Sequence, residues 1–315
     1  MVLPNFIVIG APKSGTTNLC FQLAQHPDIL MSSKKELDFF NRQYRLGQKW
    51  YEHQFADWDG EAAVGEGSVL YGVTSLRPEV PGRIAEMLPQ TKLIYMTRHP
   101  IDRIESMWFQ HVANGDHVPE FNRAVREWWP LIDGSSYWKQ LNSYRRYFDD
   151  EQFLLLFLDD YKADTAAVLQ KTYEFLGVDS LAEVPDAYTN AREKLRLDAP
   201  AWKAIRHTPI GRSIRRNFSE SFKDVFRRVF RQEVGKKIQP KWEEGTLRWA
   251  MDLLKDDAQQ FLEFAQRPVS EWDFSEEFIQ RKLQVVIDDS SLEKLRSRKQ
   301  PFVLSHLLDY DNLGS

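Results

Sequence analysis

The sequence predicts an α/β fold: a single domain with a central parallel sheet, flanking helices, and a phosphate-binding loop after strand one. Three observations carry this. In Phe6–Thr17, F-I-V-I-G-A-P-K-S-G-T-T, four apolar residues run into Gly10, a lysine-bearing turn and an apolar helix. That order is a buried strand, a phosphate-holding turn and a helix N-terminus. Short apolar runs then alternate with helical stretches up to about residue 180, the order that builds a parallel sheet with helices on both faces. Finally, Gln152–Leu158 is apolar almost throughout, as a strand covered on both faces must be.

The elements follow in chain order. Strands are expected at Phe6–Ile9, Ala62–Gly65, Lys92–Thr97 and Gln152–Leu158. Helices are expected at Thr16–Gln25, Pro78–Leu88, Pro100–Val112, Tyr137–Phe148 and Asp164–Leu176, with Gly177 suited to stop the last one. Beyond residue 180 the pattern turns helical. Segment 194–240 is rich in Lys and Arg and carries Phe218, Phe222, Phe226 and Phe230 at four-residue spacing, a stripe that reads as core packing. Trp242–Ala265 reads as a long amphipathic helix, and 274–315 mixes charge with apolar clusters.

Composition narrows the function classes. The chain has 315 residues, 42% hydrophobic and 28% charged, with net charge −4, which are ordinary globular values. The near-neutral balance argues against nucleic acid as the main partner and leaves room for a local basic pocket. Cys20 is the single cysteine, so no intramolecular disulfide can form. It shares the apolar face of the first helix with Leu19, Leu23 and Ala24, the setting of a structural thiol. No run approaches the ~18 apolar residues of a membrane span. Met-Val-Leu-Pro-Asn lacks the charged start of a signal peptide. The expectation is a soluble cytoplasmic protein with no membrane partner; the oligomeric state is left open.

The lysine of the loop is out of the usual place. A nucleoside-triphosphate loop, G-x-x-x-x-G-K-S/T, puts lysine after the second glycine. Here Gly10 and Gly15 keep that spacing, but Thr16 follows Gly15 and Lys13 sits two residues before it. The helix start supplies unpaired N–H groups and partial positive charge, Lys13 a full charge, and Thr16 and Thr17 hydroxyls. A second anion grip follows the strand Lys92–Thr97, which ends in Arg98-His99-Pro100 with proline at a favoured first helical position. Arg98 then lies at the C-terminal end of a parallel strand, where open α/β sheets bind ligands, and Ser106 lies about two turns along the helix. An ATP-using enzyme often places a carboxylate near a strand end to serve magnesium. Arginine grips phosphate bidentately and repels a metal. Two anion grips without a metal carboxylate fit a nucleotide phosphorylated at two positions better than they fit ATP. An ATP-dependent phosphate-loop kinase is the competing reading.

These residues resemble the sulfotransferases that use 3′-phosphoadenosine 5′-phosphosulfate (PAPS). Gly10–Thr17 looks like their 5′-phosphosulfate loop, and Arg98 with Ser106, in R-H-P-I-D-R-I-E-S, like their 3′-phosphate motif. Glu36-Leu-Asp-Phe-Phe40 with Tyr44, Gly47 and Trp50-Tyr51, and Ser106-Met-Trp108-Phe-Gln-His111, resemble the heparan-sulfate and related carbohydrate members. The similarity covers roughly 5–180 and 240–273. Two departures stand out. The glycan-modifying relatives follow their glutamate with lysine, Glu-Lys-Ser/Thr-x-x-Tyr, where this chain has Glu66-Gly67-Ser68-Val-Leu-Tyr71. They also carry a C-terminal disulfide that Cys20 alone cannot make. Both argue against heparan sulfate itself as acceptor.

The resemblance implies roles residue by residue. PAPS is the sulfuryl donor and no metal is required. Lys13 stabilises the bridging oxygen of the leaving group; Lys13, Ser14, Gly15, Thr16 and Thr17 hold the 5′-phosphate; Arg98 and Ser106 hold the 3′-phosphate. Glu36 matches the catalytic glutamate and is the first candidate base, with His111 the second. Ser106 and His111 are five residues apart, ~140° around an ideal helix, so they serve different ends of a cleft rather than one ligand group. Lys35, Asp38 and Trp108 are the weaker acceptor-site candidates, with core packing equally open for Trp108. The expected layout is a sulfotransferase domain over 1–273, with 194–240 a variable helical insert or lid, and a C-terminal extension over 274–315. The acceptor is a hydroxyl or amine of a small molecule, such as a secondary metabolite, or of a saccharide. A non-catalytic PAPS-binding protein is the further alternative.

Overall fold

The computed structural model describes residues 2–114, 118–181 and 240–284. The Phe218–Phe230 stripe, the insert or lid at 194–240 apart from its last residue, and the tail beyond 284 lie outside the described residues.

In chain order the elements are β1 (Phe6–Gly10), α1 (Thr16–Leu23), β2 (Ile29–Met31), α2 (Gly47–His53), β3 (Ala63–Gly67), α3 (Val80–Met87) and β4 (Lys92–Thr97). Next come α4 (Pro100–Asn114), α5 (Phe121–Glu127), α6 (Pro130–Asp133), α7 (Tyr137–Tyr144), β5 (Phe153–Phe157), α8 (Leu158–Ala163) and α9 (Thr165–Leu176). Past the undescribed stretch lie α10 (Glu244–Phe264) and α11 (Glu276–Leu283). The chain divides into two compact units, one of residues 1–98 and 137–235, the other of 99–136 and 236–315.

The first unit holds a five-stranded parallel sheet in the order β2-β3-β1-β4-β5. This order creates a particular place. The connection from β1 leaves toward β2, and the connection from β4 leads to β5 on the opposite side. The crevice beyond the C-terminal ends of β1 and β4 is therefore the topological switch point, where ligands of open α/β sheets bind. The loop Ala11–Gly15 follows β1 there, and Arg98 follows β4.

Alternation along the strands builds a layer on each face. Phe6, Val8, Ile94, Met96, Leu154 and Leu156 pack with Leu19 and Leu23 of α1 and Leu169 and Tyr173 of α9. The intervening residues point the other way, where Tyr95 meets Tyr137 edge to face with ring centres 6.0 Å apart. The pairing of β1 with β4 shifts between Val8 and Gly10, and the loop is then tied down by Ala11 N–H donating to Met96 O at 2.7 Å. Such bulges re-aim a chain next to functional sites.

The expected fold is present, with differences at the edges. β2 is three residues long, too short for any periodicity to register. The fourth expected strand ends a residue early because Leu158 opens α8. Asp164 caps α9 instead of joining it, accepting from Ala167 N–H at 2.9 Å, and Gly177 ends that helix in the left-handed conformation. The four short helices α2, α5, α6 and α8 went unforeseen, since none offers more than two turns of pattern.

The second unit packs Ile101, Ile104 and Trp108 of α4 against Phe121 of α5, Leu247 and Met251 of α10, and Phe278 of α11. Lys282 of α11 reaches back to Asp102 at 2.6 Å and Glu105 at 2.8 Å, and Trp242 donates its indole N–H to Glu105 at 2.7 Å. Among the described residues, no helix is long and apolar enough to cross a membrane.

Candidate active site

The loop after β1 folds into a tight cradle. Lys13 adopts φ 70° and Gly15 φ 91°, so the chain doubles back before entering α1. Ser14 N–H closes the turn on Ala11 O at 3.2 Å. Gly15 is required twice over: its φ is left-handed, and an added Cβ would lie 2.7 Å from a methyl of Leu158. The opening N–H groups of α1 have no partners within the helix. Ser14 Oγ is fully buried yet has no hydrogen-bond partner among the described residues. A buried hydroxyl left so is costly unless a ligand completes it, and the terminal oxygens of a 5′-phosphosulfate would supply that acceptor. The cradle therefore fits the group.

Two further cations bear on this loop. Arg98 donates from Nη1 to Lys13 O at 3.3 Å, which fixes its guanidinium beside the loop backbone. Burial, then the charges of Arg98 and Lys35, pull Lys13 down from the ordinary lysine value to about 8. Positive charge is thus concentrated at the switch point.

The chain then makes a strained turn. Glu36 has φ 58° and Asp38 φ 52°, both left-handed without glycine's freedom. Glu36 N–H donates to Gly67 O at 2.9 Å, and Glu36 Oε2 accepts from Val69 N–H at 2.9 Å. The other oxygen, Oε1, pairs with the ammonium of Lys35. Lys35 is almost sequestered, at 10% side-chain exposure against 33% for Glu36. Burial alone would lower its pKa, but the Glu36 carboxylate beside it lifts it. Burial and the neighbouring Glu36 charge push Asp38 up to about 6. Phe39 and Phe40 anchor the turn in an aromatic nest: Phe39 stacks on Tyr51 at 4.2 Å, and Phe40 meets Tyr51 and Tyr71 edge-on.

Beneath the turn lies a residue that had stood out only as part of a departing motif. Glu66 of β3 is fully buried and accepts from Tyr51 Oη at 2.6 Å, Ser68 Oγ at 2.6 Å and Tyr71 Oη at 3.2 Å. Burial drives it up to about 7, against the pull of those hydroxyl bonds. In the sequence the expected strand stops at Gly65, and a carboxylate between two glycines is the signal available; the strand itself runs on through Glu66 to Gly67. The neighbouring Gly67 also gains a reason: an added Cβ there would lie 2.6 Å from Cys20 Sγ. Cys20 is 2% exposed, and burial raises its thiol to about 12, which makes it a packing group.

The first unit thus gathers Lys13, Ser14, Gly15, Thr16, Thr17 and Arg98 at the C-terminal ends of β1 and β4, and carries Lys35, Glu36 and Asp38 on one turn beside β3. Ser106, Trp108 and His111 belong to α4 in the second unit. Ser106 is half-buried. His111 is half-buried too and meets the Trp128 ring edge-on at 4.5 Å. Trp108 is 4% exposed, donates its indole N–H to Pro119 O at 3.1 Å and packs on Phe121, so core packing describes its surroundings.

Comparison with known proteins bears on this arrangement. The family described as "Sulfotransferase domain" matches residues 3–241. Mouse heparan sulfate glucosamine 3-O-sulfotransferase 3A1 is 31% identical over 198 residues, 60% of this chain and 49% of that protein. Membrane-associated sulfotransferase kil1 of Dictyostelium discoideum is 38% identical over 111 residues, 34% of this chain and 23% of that protein. The chain thus spans half or less of the length of these relatives. The crystal structure of mouse sulfotransferase SULT7A1 complexed with PAP shares the fold, with a TM-score of 0.53 at 17% identity over 84% of this chain and 86% of that one. With the family match spanning most of its length, this chain belongs to the sulfotransferase family.

Proposed function

We propose that this protein transfers a sulfuryl group from PAPS to a hydroxyl or amine of a small-molecule or saccharide acceptor. The observation that carries the reading is the cradle at the switch point. It joins a Lys13 whose pKa is held down, a buried Ser14 hydroxyl without a partner among the described residues, and Arg98 fixed to the loop, all beyond the ends of β1 and β4. When bound, PAPS supplies an activated sulfuryl group on a phosphate leaving group.

The chain's own residues divide the work. Lys13 holds a proton on Nζ and offers it as a charged donor where negative charge develops on the leaving oxygen. Ser14 Oγ and the N–H groups of Gly15, Thr16 and Thr17 orient the 5′-phosphate, while Arg98, with Ser106, grips the 3′-phosphate. Glu36 takes the acceptor's proton at a carboxylate oxygen, with His111 the second candidate. Lys35 and Asp38 line the acceptor side. Sulfuryl transfer resembles phosphoryl transfer in spreading charge over equatorial oxygens, so positioning and electrostatics supply most of the catalysis. The reading needs no metal, takes residues 1–273 as the catalytic domain and places the protein in the cytoplasm. Saccharide acceptors are suggested by the name of the heparan sulfate relative; the glycine at position 67 separates this chain from the lysine-bearing pattern.

Transfer of radiolabel from ³⁵S-PAPS to a panel of saccharides, alcohols and amines, with EDTA present, tests the reading. Labelled product is expected, and Glu36→Gln should lower turnover far more than affinity for 3′-phosphoadenosine 5′-phosphate. Binding of ATP with magnesium in preference to PAPS would overturn it.

A further inference from the structure

Glu66 has no place in the chemistry above, yet the structure builds the Glu36 turn upon it. Its partners among the described residues are three hydroxyls rather than a cation. Two of those hydroxyls make a second bond: Ser68 Oγ accepts from Asp38 N–H, and Tyr71 Oη accepts from Phe40 N–H, each at 3.1 Å. A hydroxyl has one proton to give and lone pairs to accept with. An ionised carboxylate only accepts, so it draws both protons inward and leaves lone pairs facing the two amides. Asp38 N–H and Phe40 N–H bracket the end of the left-handed turn that presents Glu36. Left-handed backbone is costly for a non-glycine residue and persists only where its surroundings over-determine it. Here residues 66–71 hold 36–40 through these two bonds and the two that bind Glu36 to Gly67 O and Val69 N–H.

We propose that ionised Glu66 is a positioning residue, which holds the Glu36 turn by orienting the Ser68 and Tyr71 hydroxyls and releases it on protonation. Its importance for catalysis rests on the reading of Glu36 as the base. A protonated Glu66 becomes a donor at one oxygen, so a hydroxyl loses its acceptor, rotates, and abandons the amide it capped. The titratable groups facing Glu66 are Tyr51 from α2, Tyr71 from the segment after β3, Tyr144 from α7, Cys20 from α1 and Asp38 from the turn. The tyrosines are raised well above their ordinary range, and Cys20 to about 12, so near neutral pH they stay protonated. Glu66 and Asp38 are left to titrate there, toward about 7 and about 6. The ionised, turn-holding form of Glu66 is favoured above about pH 7 and lost below it.

The test is amide hydrogen exchange of the full chain, corrected for the intrinsic pH effect, read over residues 36–41 between pH 8 and 6. The proton can reside on Oε1, which serves Tyr71, or on Oε2, which serves Ser68, so wild type should lose several-fold, at most about tenfold, of its protection at each of Asp38 and Phe40 on acidification, the equivalent of up to about one hydrogen bond. Glu66→Gln, which carries donor hydrogens at every pH, should be weakly protected throughout. Tyr71→Phe should lose protection at Phe40 alone and keep the pH response at Asp38, which serves if Glu66→Gln folds poorly. Asp38→Asn should retain the response. Wild-type protection that does not change with pH, a response abolished in Asp38→Asn, or a Glu66→Gln loss spread evenly through the sheet would each overturn the proposal. If wild type shows no sulfuryl transfer, the catalytic reading fails while the exchange pattern still decides the role of Glu66.

Discussion

Placing alanine at Gly67 tests why this chain lacks a side chain there. The added Cβ would lie 2.6 Å from Cys20 Sγ, and the next atoms, Val8 Cβ at 3.8 Å and Cys20 Cβ at 4.0 Å, are at ordinary distance. The misfit is therefore one contact, about 1 Å short of the ~3.5–4.0 Å optimum. Relieving it means moving α1 off the sheet or forcing Cys20 from its rotamer, and overpacking of this kind costs ~1–3 kcal/mol. Cys20→Ala alone should cost about 1 kcal/mol for the lost sulfur and the space it leaves. In the Cys20→Ala background the new methyl has room, so Gly67→Ala should be nearly neutral. The assay is urea unfolding of the two single variants and the double variant. The coupling should be ~1–3 kcal/mol in favour of the double variant. Additivity within ~0.5 kcal/mol would refute the argument, because contacting residues that share one space must couple.

Three further outcomes follow. Arg98→Ala should weaken binding of 3′-phosphoadenosine 5′-phosphate by calorimetry about tenfold to a hundredfold, the loss of ~1.5–3 kcal/mol for charged hydrogen bonds. Because Lys13 is held down to about 8, the free protein loses its charge as pH rises through that value. An anion restores the proton, so binding at pH 8 should take up ~0.5 proton, measurable in buffers of different ionisation heat, and affinity should fall above pH 8. Lys13→Met should abolish both effects. Lys282→Met should destabilise the protein by ~1–3 kcal/mol in urea by leaving Glu105 without its cation, and Glu105→Gln in that background should restore part of the loss.

The parts of this molecule that repeat were legible in advance. Phe6–Ile9, Lys92–Thr97 and the run before Leu158 showed the strands as short apolar runs, and the fold class follows from their alternation with helices. The loop was legible because Gly10, Lys13 and Gly15 carry backbone and charge requirements on their faces. Less accessible were features made by distant pieces meeting. Nothing local marks Ile29–Met31 as a strand; it pairs because Ala63–Gly65 lies alongside. Glu66 gains its role from Tyr51, Ser68 and Tyr71, and Gly67 its meaning from Cys20, and these meetings exist only once the sheet has formed. Trp108 sat in a suggestive motif, and only the position of Pro119 O and Phe121 shows where its indole is engaged.

The crowding of Lys13, Arg98 and Lys35 has a consequence for anyone handling the protein. Like charges held together in a buried setting oppose one another, so an anion in the cradle relieves a repulsion as well as making new bonds. Anything that binds the folded form stabilises it in proportion to the logarithm of its concentration over its dissociation constant. Sulfate or phosphate in a buffer should therefore act here as a weak ligand rather than a bystander. The melting temperature should climb with either salt more steeply than with chloride at equal ionic strength, and preparations in different buffers will differ in stability although their sequence is the same.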